Sequence, residues 1–476
     1  MNDFQMEINF TARGGNRFGD ALSKGEFILL IEGAAPDPGV REPAPGPEQL
    51  AHLASELPEI PGLHIGLAIL DRGVGVPGAL RGVELAAKLP EAERDRHLVY
   101  LSGAETSPEA ARDLLRIAAN AGVRNLVAVS GDAPAGVSPA NCSKRHFTES
   151  TELLSMISAA SASAPAGAGF LAGATVNPHQ YTPWSLLGQY YKADAKFAAG
   201  AEFLVAQAGW DMLKIQSLAW RMIATEAFYP RLARLVLLTP LRVERILAGE
   251  MPGVRIAPAL RAQLERELRY SKSQFEAAQY RRLALQAAGC RLMGYNGIQL
   301  AGAESPLRAK VSAERIRAAL EEFTFFDAWL EEYNSCMAET ELSPFGDNFT
   351  LYDRILHRDW PADEPAFPND TGIPPVSGTE RSLYRLRRFF FANAGEQSAS
   401  HGRLLKKLLC GCRSCDRCRL PEHEFFCAHR HCPKQLADGP CGGVTPEGRC
   451  ELGDFECFFH RVMRMRMSRR SMGQGE

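Results

Sequence analysis

The chain has 476 residues and a formal net charge of −2, and 45% of its residues are hydrophobic. This length exceeds one ordinary hydrophobic core and predicts a large domain with smaller units beside it. The near-neutral charge gives no reason to expect nucleic acid as a partner. No run of about 18 or more apolar residues predicts a membrane span, and residues 1–25 contain no apolar signal segment. We expect a soluble cytoplasmic protein.

Short apolar runs alternate with helical patterns from residue 26 to about residue 300, which is typical of parallel strands joined by helices. Ser107, Pro108 and Glu109 predict the start of a helix that Gly122 ends. Eight runs are predicted as strands: 27–31, 63–69, 97–101, 125–129, 168–174, 202–206, 235–238 and 290–295. Eight such units favour an α/β fold of the (β/α)8 TIM-barrel type, with its chemistry at the carboxyl ends of the strands.

Beyond the eighth predicted strand, residues 313–330 have the apolar spacing of a helix that closes the barrel. Five prolines between 360 and 377 predict a linker, and 384–391 and 404–409 predict two further helices. We therefore expect three domains: the barrel (1–330), a helical and proline-rich connector (331–400) and a small cysteine-rich metal-binding domain (401–476).

Nine of the 12 cysteines lie close together near the C-terminus. They are Cys410, Cys412, Cys415, Cys418, Cys427, Cys432, Cys441, Cys450 and Cys457. One tetrahedral zinc ion takes four ligands, so this density indicates two zinc ions or iron–sulfur clusters. The Cys-x2-Cys-x2-Cys core with a remote Cys-Pro favours iron–sulfur clusters. Zinc stays open, as do disulfides for a secreted chain.

Polar residues follow several predicted strands. Glu32 follows the first, where a partly buried carboxylate acts as a general acid or, alternatively, pairs with a nearby arginine. Asp132 follows the fourth strand and suits either the tuning of a cofactor ring or an ordinary turn. Gln207 ends the sixth, and its amide can donate to and accept from a heterocycle. Lys196 suits a phosphate contact or a solvated surface.

Four segments within roughly 20–330 resemble methylenetetrahydrofolate reductases, which are flavin-dependent (β/α)8 barrels. They are Glu32 with its proline-containing loop, the strand ending at Ser130-Gly131-Asp132, the strand exit at 173–178, and the stretch from Lys196 to Gln207. The tail resembles the cysteine-rich C-terminal module of some of these reductases, through Cys432-Pro433-Lys434 and residues 439–443.

This resemblance implies an oxidoreductase that interconverts 5,10-methylenetetrahydrofolate and 5-methyltetrahydrofolate on FAD or, alternatively, FMN. Glu32 would supply the proton to the folate nitrogen, Asp132 would tune the flavin, and Gln207 would bind the pterin. The remaining flavin contacts implied are His97, Ser130, Asn177 and Lys196, although Ser130 stands where the family usually has arginine.

The resemblance implies NAD(P)H or a protein carrier such as ferredoxin as the electron partner. Residues 239–248 lack the Gln-x3-Phe that the resemblance leads one to expect for nicotinamide stacking, which puts direct NADH use in doubt. The cysteine-rich domain would then relay electrons. A second hypothesis makes that domain a structural zinc unit that docks a partner protein. A third, of a different class, is a nucleic-acid-binding module in which the arginines and aromatics of 381–391 track a strand, although these aromatics also suit a helix core. Assembly of identical subunits stays open.

Overall fold

A computed structural model describes most of the chain. The described residues are 15–34, 46–71, 74, 78–134, 136–165, 167–248, 254–337, 376–391, 403–413, 415, 418–445 and 447–473. The proline-rich segment predicted as a linker lies almost entirely outside these residues.

Eight parallel strands form a closed barrel in the order β1 to β8. They are β1 (Phe27–Ala34), β2 (Leu63–Leu70), β3 (Leu98–Ser102), β4 (Asn125–Val129), β5 (Leu171–Val176), β6 (Phe203–Ala206), β7 (Arg231–Val236) and β8 (Gly297–Ala301). β1 pairs with both β2 and β8, which closes the sheet. The prediction of a (β/α)8 barrel is confirmed.

Helices connect the strands and continue beyond the barrel. Those that precede or accompany the strands are α1 (Arg17–Lys24), α2 (Pro47–Ser55), α3 (Gly82–Ala86), α4 (Pro108–Asn120), α5 (Pro139–Cys142), α6 (Ser150–Ala162), α7 (Pro183–Ala198), α8 (Met212–Ala224), α9 (Pro240–Leu247), α10 (Pro258–Tyr270) and α11 (Lys272–Leu292). After β8 come α12 (Pro306–Glu322), α13 (Phe326–Cys336), α14 (Gly378–Phe391), α15 (Arg403–Cys410), α16 (Ala428–His431) and α17 (Phe458–Gly473).

The side chains of each strand alternate between two cores. Ile28 and Leu30 of β1 point into the barrel, where they join Phe203, Leu98 and Val127 in one buried cluster. The neighbours in between pack outward against the helices in a second, larger cluster. This two-residue period is the one that a closed parallel barrel requires, because successive strand residues face opposite sides of the sheet. Glu32 shares the inward-facing period of Ile28 and Leu30.

Most of the predicted strands are confirmed within a few residues, and β4 matches at both ends. The eighth prediction is wrong, because residues 290–292 form the last turn of α11 and the strand follows at Gly297–Ala301. The seventh is displaced, since β7 begins at Arg231 and ends at Val236. The helix predicted at 313–330 is two helices, α12 and α13, that meet near Phe323.

The helices predicted around residues 384–391 and 404–409 are confirmed as parts of α14 and α15. The interpretation of the α14 aromatics as a core face holds only in part. Tyr384 and Phe391 are buried, whereas the Phe389 side chain is 84% exposed and that of Phe390 is 47% exposed.

The cysteine-rich region packs directly on the barrel. Its last helix, α17, lies against α7, which connects β5 to β6. Gly188 of α7 lies against Pro440 and Met463 of the cysteine-rich region, and Arg466 of α17 lies over the ring of Tyr191, 5.8 Å from its centroid. The C-terminal domain therefore sits on the β5–β6 side of the barrel. Among the described residues, no helix has the length and hydropathy to cross a membrane.

Candidate functional site

Glu32 is the centre of a buried polar network at the carboxyl-terminal end of the barrel. Glu32 is only 3% exposed to solvent. Arg234 of β7 donates two hydrogen bonds to this carboxylate: Nε donates to Oε1, and Nη2 donates to Oε2 at 2.9 Å. Gln299 of β8 adds a hydrogen bond from Nε2 to Oε1 at 2.7 Å. A carboxylate that accepts from an arginine fork and an amide is held in its ionised form.

The network extends from Glu32 across the barrel to β3. Tyr100 donates its hydroxyl hydrogen to Oε1 of Gln299 at 2.7 Å. Burial raises the pKa of Tyr100 well above its ordinary value, and the Glu32 carboxylate adds to that rise. Burial opposes the charge of Arg234, but the Glu32 carboxylate more than compensates, so the pKa of Arg234 is raised. Tyr100 therefore stays a neutral donor and Arg234 stays a cation.

Gln207 lies beside this network at the end of β6. Its Oε1 accepts from Nη1 of Arg234 at 3.1 Å and from the backbone nitrogen of Ala208 at 3.2 Å. No described residue accepts a hydrogen bond from its Nε2. The amide therefore offers a donor to a ligand while its oxygen is already used. The structure brings Glu32 and Gln207 together through one shared arginine.

The exit of β4 carries Ser130 and Asp132. The hydroxyl of Ser130 contacts that of Ser150 at 3.3 Å, and Asp132 is exposed. The Asp132 carboxylate contributes to the raised pKa of Arg234 and to that of Lys434, so it acts electrostatically on both cations. Gly131 between them has a φ of +83°, and a Cβ there would lie 2.4 Å from the Ser102 hydroxyl oxygen. This turn therefore needs glycine.

Two further predicted residues lie at the exit of β5 and in the helix that follows. Asn177 is buried and donates from Nδ2 to the carbonyl oxygen of Gly442 at 2.7 Å. Lys196 is buried in α7 and donates to the carbonyl oxygen of Thr175. Burial, assisted by the nearby Lys192 ammonium, lowers the pKa of Lys196 to about 7. Asn177 thus contacts the C-terminal domain directly.

The structure does not bring His97 to this group. It directly precedes β3, at the amino-terminal end of the strand, and in a parallel barrel that end is opposite the carboxyl-terminal rim. Its Nδ1 accepts from the backbone nitrogen of Leu67 at 3.0 Å, and burial lowers its pKa well below the ordinary value. Its position is that of a neutral core histidine.

The C-terminal domain reaches the rim through a lysine. Lys434 is 3% exposed, although it carries a charge. Its ammonium donates to the carbonyl oxygen of Gly131 at 3.1 Å and pairs with Glu451. On the same side, Glu149 of the barrel pairs with Lys192 at 2.7 Å and accepts from the backbone nitrogen of Asp438 at 2.9 Å. The domain is therefore held by several polar contacts beside the exits of β4 and β5.

Eight of the nine clustered cysteines fall into two groups of four. One cavity is lined by Cys412, Cys415, Cys418 and Cys427, which we call the outer thiol set. Cys410 is buried next to this set, where burial raises its pKa to about 11 and the Arg387 guanidinium opposes that rise. Since four ligands complete a tetrahedral zinc site or a cubane, Cys410 is the residue left over.

We call Cys432, Cys441, Cys450 and Cys457 the inner thiol set. Burial raises the pKa of Cys432 to about 12, and the thiols of Cys441 and Cys450 add to it. Burial likewise raises the pKa of Cys457 to about 12, with a contribution from Cys432. Cys441 also acts on the charge of Lys196, and the next residue, Gly442, bonds Asn177. The inner set therefore lies against the barrel rim.

Thiols at this density fit a metal centre by their chemistry. Among the described residues, no three His, Cys, Asp or Glu side chains already hold a metal-binding arrangement. Yet each set provides four soft ligands, and a bound metal favours the thiolate form in which cysteine acts as a ligand. The donor set fits zinc and iron–sulfur clusters equally well.

The rim also fits the polar edge of a flavin. The exposed Asp132 carboxylate, the Ser130 hydroxyl and the Nε2 donor of Gln207 lie at the exits of β4 and β6. Between them, at the exit of β5, the Nε2 atom of Gln189 is buried and has no hydrogen-bond partner in the described part of the chain. A ligand with carbonyl and phosphate oxygens would satisfy such donors.

Sequence reasoning misses the partners that shape this site. Arg234, Gln299 and Tyr100 lie inside strands, where a polar residue gives no signal of its own. Gln299 is an inward-facing polar residue in an otherwise apolar strand, and Arg234 lies in a strand that also begins with Arg231, but these are the two strands whose positions were mispredicted. In the sequence, Lys434 is recognisable only as part of the Cys432-Pro433-Lys434 motif. Its contact with Gly131 could not be predicted, because the two residues are far apart in the chain.

Comparison with known proteins identifies two regions. The family model described as methylenetetrahydrofolate reductase matches residues 81–249, from α3 to the end of α9. The model described as methylene-tetrahydrofolate reductase C terminal matches residues 392–474, which include all nine clustered cysteines. The first match includes Asp132, Gln207 and Arg234 but ends before β8 and begins after Glu32. No curated protein matches the chain.

Solved structures show only distant likeness. An uncharacterised protein from Clostridium thermocellum, which binds two copies of 5-methyl-5,6,7,8-tetrahydrofolic acid, is 12% identical, with a TM-score of 0.40; the match covers 64% of this chain and 100% of that one. A protein assigned as a dihydrodipicolinate synthetase from Pseudomonas aeruginosa is also 12% identical, with a TM-score of 0.34 and coverage of 65% and 80%. These likenesses carry no argument about function.

The two family matches agree with the fold, since one falls within the closed barrel and the other on the cysteine-rich domain docked against it. One polypeptide therefore carries a region that matches the methylenetetrahydrofolate reductase family, residues 81–249, and a region that matches the C-terminal domain of such reductases, residues 392–474.

Proposed function

We propose that the chain is a flavin-dependent oxidoreductase that interconverts 5,10-methylenetetrahydrofolate and 5-methyltetrahydrofolate. The observation that carries this proposal is the buried Glu32 at the barrel rim, fixed by Arg234 and Gln299 and joined to Gln207. The family matches support a folate-related reductase activity, and the buried network supports a site for proton exchange.

The residues of the rim would have different roles in the reaction. The bound flavin, FAD or FMN, would supply or accept the hydride. Glu32 would exchange a proton with the folate nitrogen that leaves or rejoins the one-carbon bridge. Gln207 would donate from Nε2 to an acceptor atom of the pterin, and Asp132 would face the flavin's polar edge. Ser130, Asn177 and Lys196 would line the cofactor's side of the site.

The position of the inner thiol set supports electron relay as the role of the C-terminal domain. Gly442, next to Cys441, touches Asn177 at 2.7 Å, so this set lies against residues assigned to the flavin. The outer set precedes that contact in the chain. Iron–sulfur clusters at both sets would pass single electrons between an external carrier, such as a ferredoxin, and the flavin. Zinc at these sets would make the domain structural, and NAD(P)H would then be the electron donor.

Metal identity separates these two versions. The chain would be purified anaerobically, analysed for iron, sulfide and zinc, and its visible spectrum recorded before and after dithionite. Iron with sulfide and a flavin spectrum, both bleached by dithionite, is the expected result. Zinc with flavin would end the relay proposal and keep the reductase. The absence of flavin under all conditions, including reconstitution with FAD and with FMN, would contradict the proposed function itself.

A further inference from the structure

Arg234 is the one described residue that hydrogen-bonds to both Glu32 and Gln207. Its Nε and Nη2 atoms hold the carboxylate of Glu32, while its Nη1 atom reaches Oε1 of Gln207 at 3.1 Å. The guanidinium is planar and rigid, so the two partners are fixed relative to one another. A lysine could hold either partner but not both in this geometry.

We propose that Arg234 is a positioning residue of the active site, which keeps Glu32 as a carboxylate and turns the amide of Gln207 so that Nε2 faces the ligand. This inference rests on the proposed function and deepens it. Neither of the two roles requires Arg234 to touch the substrate, so the residue acts through Glu32 and Gln207.

The charge state has a chemical consequence. In the oxidation of 5-methyltetrahydrofolate, its methyl group would give up a hydride to the bound flavin, and the folate nitrogen that closes the one-carbon bridge would lose its proton. The carboxylate of Glu32 is the form that accepts that proton. In the opposite direction Glu32 must first gain a proton, which Arg234 opposes. Arg234 therefore sets the pH range in which each direction runs.

The titratable groups that interact with Glu32 or with its partner Arg234 include residues from three elements. Arg234 lies on β7, Tyr100 lies on β3, and Asp132 follows β4; the neutral amides of Gln299 and Gln207 complete the surroundings. Arg234 is the only cation in this group. Removal of Arg234 would leave the buried carboxylate of Glu32 without its guanidinium partner, and such a group takes up a proton at higher pH.

The test measures how fast 5-methyltetrahydrofolate reduces the bound flavin in anaerobic single turnovers across a range of pH. In Arg234→Gln, we expect the rate to fall about 100-fold. We also expect the acid limb of the pH–rate profile, where the rate falls as the pH is lowered, to move to higher pH by roughly 1–3 units. Arg234→Lys should keep the limb near its wild-type position, because the charge remains, yet lose rate because one partner is released.

The matched control is a second buried arginine–glutamate pair. Arg282 of α11 is 3% exposed, and its Nη1 donates to Oε2 of Glu267 at 2.8 Å, with Gln279 donating to the same oxygen at 3.2 Å. This pair joins α10 to α11 and takes no part in the rim. Arg282→Gln should lower stability but leave the acid limb unchanged. An unshifted limb in Arg234→Gln, or an equal shift in Arg282→Gln, would overturn the proposal.

A second readout does not depend on turnover. In the flavin-free chain, Arg234→Gln should lower the urea midpoint of unfolding, and the double variant Glu32→Gln/Arg234→Gln should recover part of that loss, because it no longer buries an unpaired carboxylate. Additive losses would contradict the positioning role. Recovery in a chain that shows no folate chemistry would instead preserve the Arg234 assignment and reject the proposed function.

Discussion

Glu32 shows how burial and pairing act on a single side chain. Desolvation alone would favour its neutral form, but the guanidinium of Arg234 and the amide of Gln299 supply the hydrogen bonds that a carboxylate needs. The sequence is compatible with a general acid and with a rim glutamate paired with arginine. The structure shows the pair, and the role of Glu32 in proton exchange stays a proposal.

The first prediction concerns this carboxylate. Glu32→Gln keeps the size and the hydrogen bond to Gln299 but cannot carry a proton to or from the folate. Flavin content should stay unchanged, while the rate of folate turnover should fall by about 10²–10⁴-fold. Flavin absorbance per chain and single-turnover rates measure the two effects. Retained turnover would remove Glu32 from the proton-exchange role.

The second prediction uses the pH dependence of stability. The pKa of Lys196 is lowered from 10.5 to about 7 by burial, so the unfolded chain binds more protons than the folded chain between these values. The free energy of unfolding must therefore rise as pH increases through this window, by roughly 1–4 kcal/mol from this group. Urea unfolding at pH 7 and pH 9 should show a smaller rise in Lys196→Met. An identical rise in both proteins would contradict the assignment.

At the level of strands and helices, the features that were predictable are local. β4 has an apolar run between Gly122 and Gly131, and both of its ends were predicted. β8 was missed because the apolar run that begins at Cys290 resembles a strand, but its first three residues, up to Leu292, complete the 21-residue helix α11. The true strand begins with Gly297, whose Cβ would lie 2.2 Å from the carbonyl oxygen of Ile28. That requirement comes from packing against β1, which a local pattern does not contain.

The third prediction concerns the loop after β5, where the barrel meets the C-terminal domain. Asn177→Ala removes the hydrogen bond to the carbonyl oxygen of Gly442 and leaves that buried oxygen with only the weaker contact from Gln180 at 3.4 Å. We expect faster hydrogen exchange in residues 439–445 and lower flavin retention, with the barrel itself unchanged. Asn141→Ala, in the exposed helix α5, is the control. Unchanged exchange in 439–445 would show that this contact does not hold the domain.

For the whole molecule, the arrangement of the cysteine-rich domain was the least predictable part. The sequence indicates nine thiols and a metal-binding role, but the division into two sets and their order relative to the rim depend on contacts such as Lys434 with Gly131 and Glu149 with Asp438. These contacts join residues about 300 positions apart. The domain boundaries at 330 and 400 stay predictions.

The fourth prediction concerns the metal content of the two sets. Cys415→Ala should remove the metal of the outer set and Cys441→Ala that of the inner set, so each variant should contain about half of the wild-type metal. Cys410→Ala should keep all of it, because Cys410 is the ninth thiol. Metal analysis of the three variants, with flavin content as a second readout, tests this. Equal losses in all three would contradict two independent sets.

The most direct test of the proposed activity is the reaction of reduced flavin with folate. The anaerobic, flavin-loaded chain would be reduced with dithionite, freed of excess reductant, and mixed with 5,10-methylenetetrahydrofolate while its visible spectrum is recorded. The account predicts reoxidation of the flavin with formation of an equivalent amount of 5-methyltetrahydrofolate, and a much slower reaction in Glu32→Gln. A flavin that stays reduced at saturating folate would contradict it.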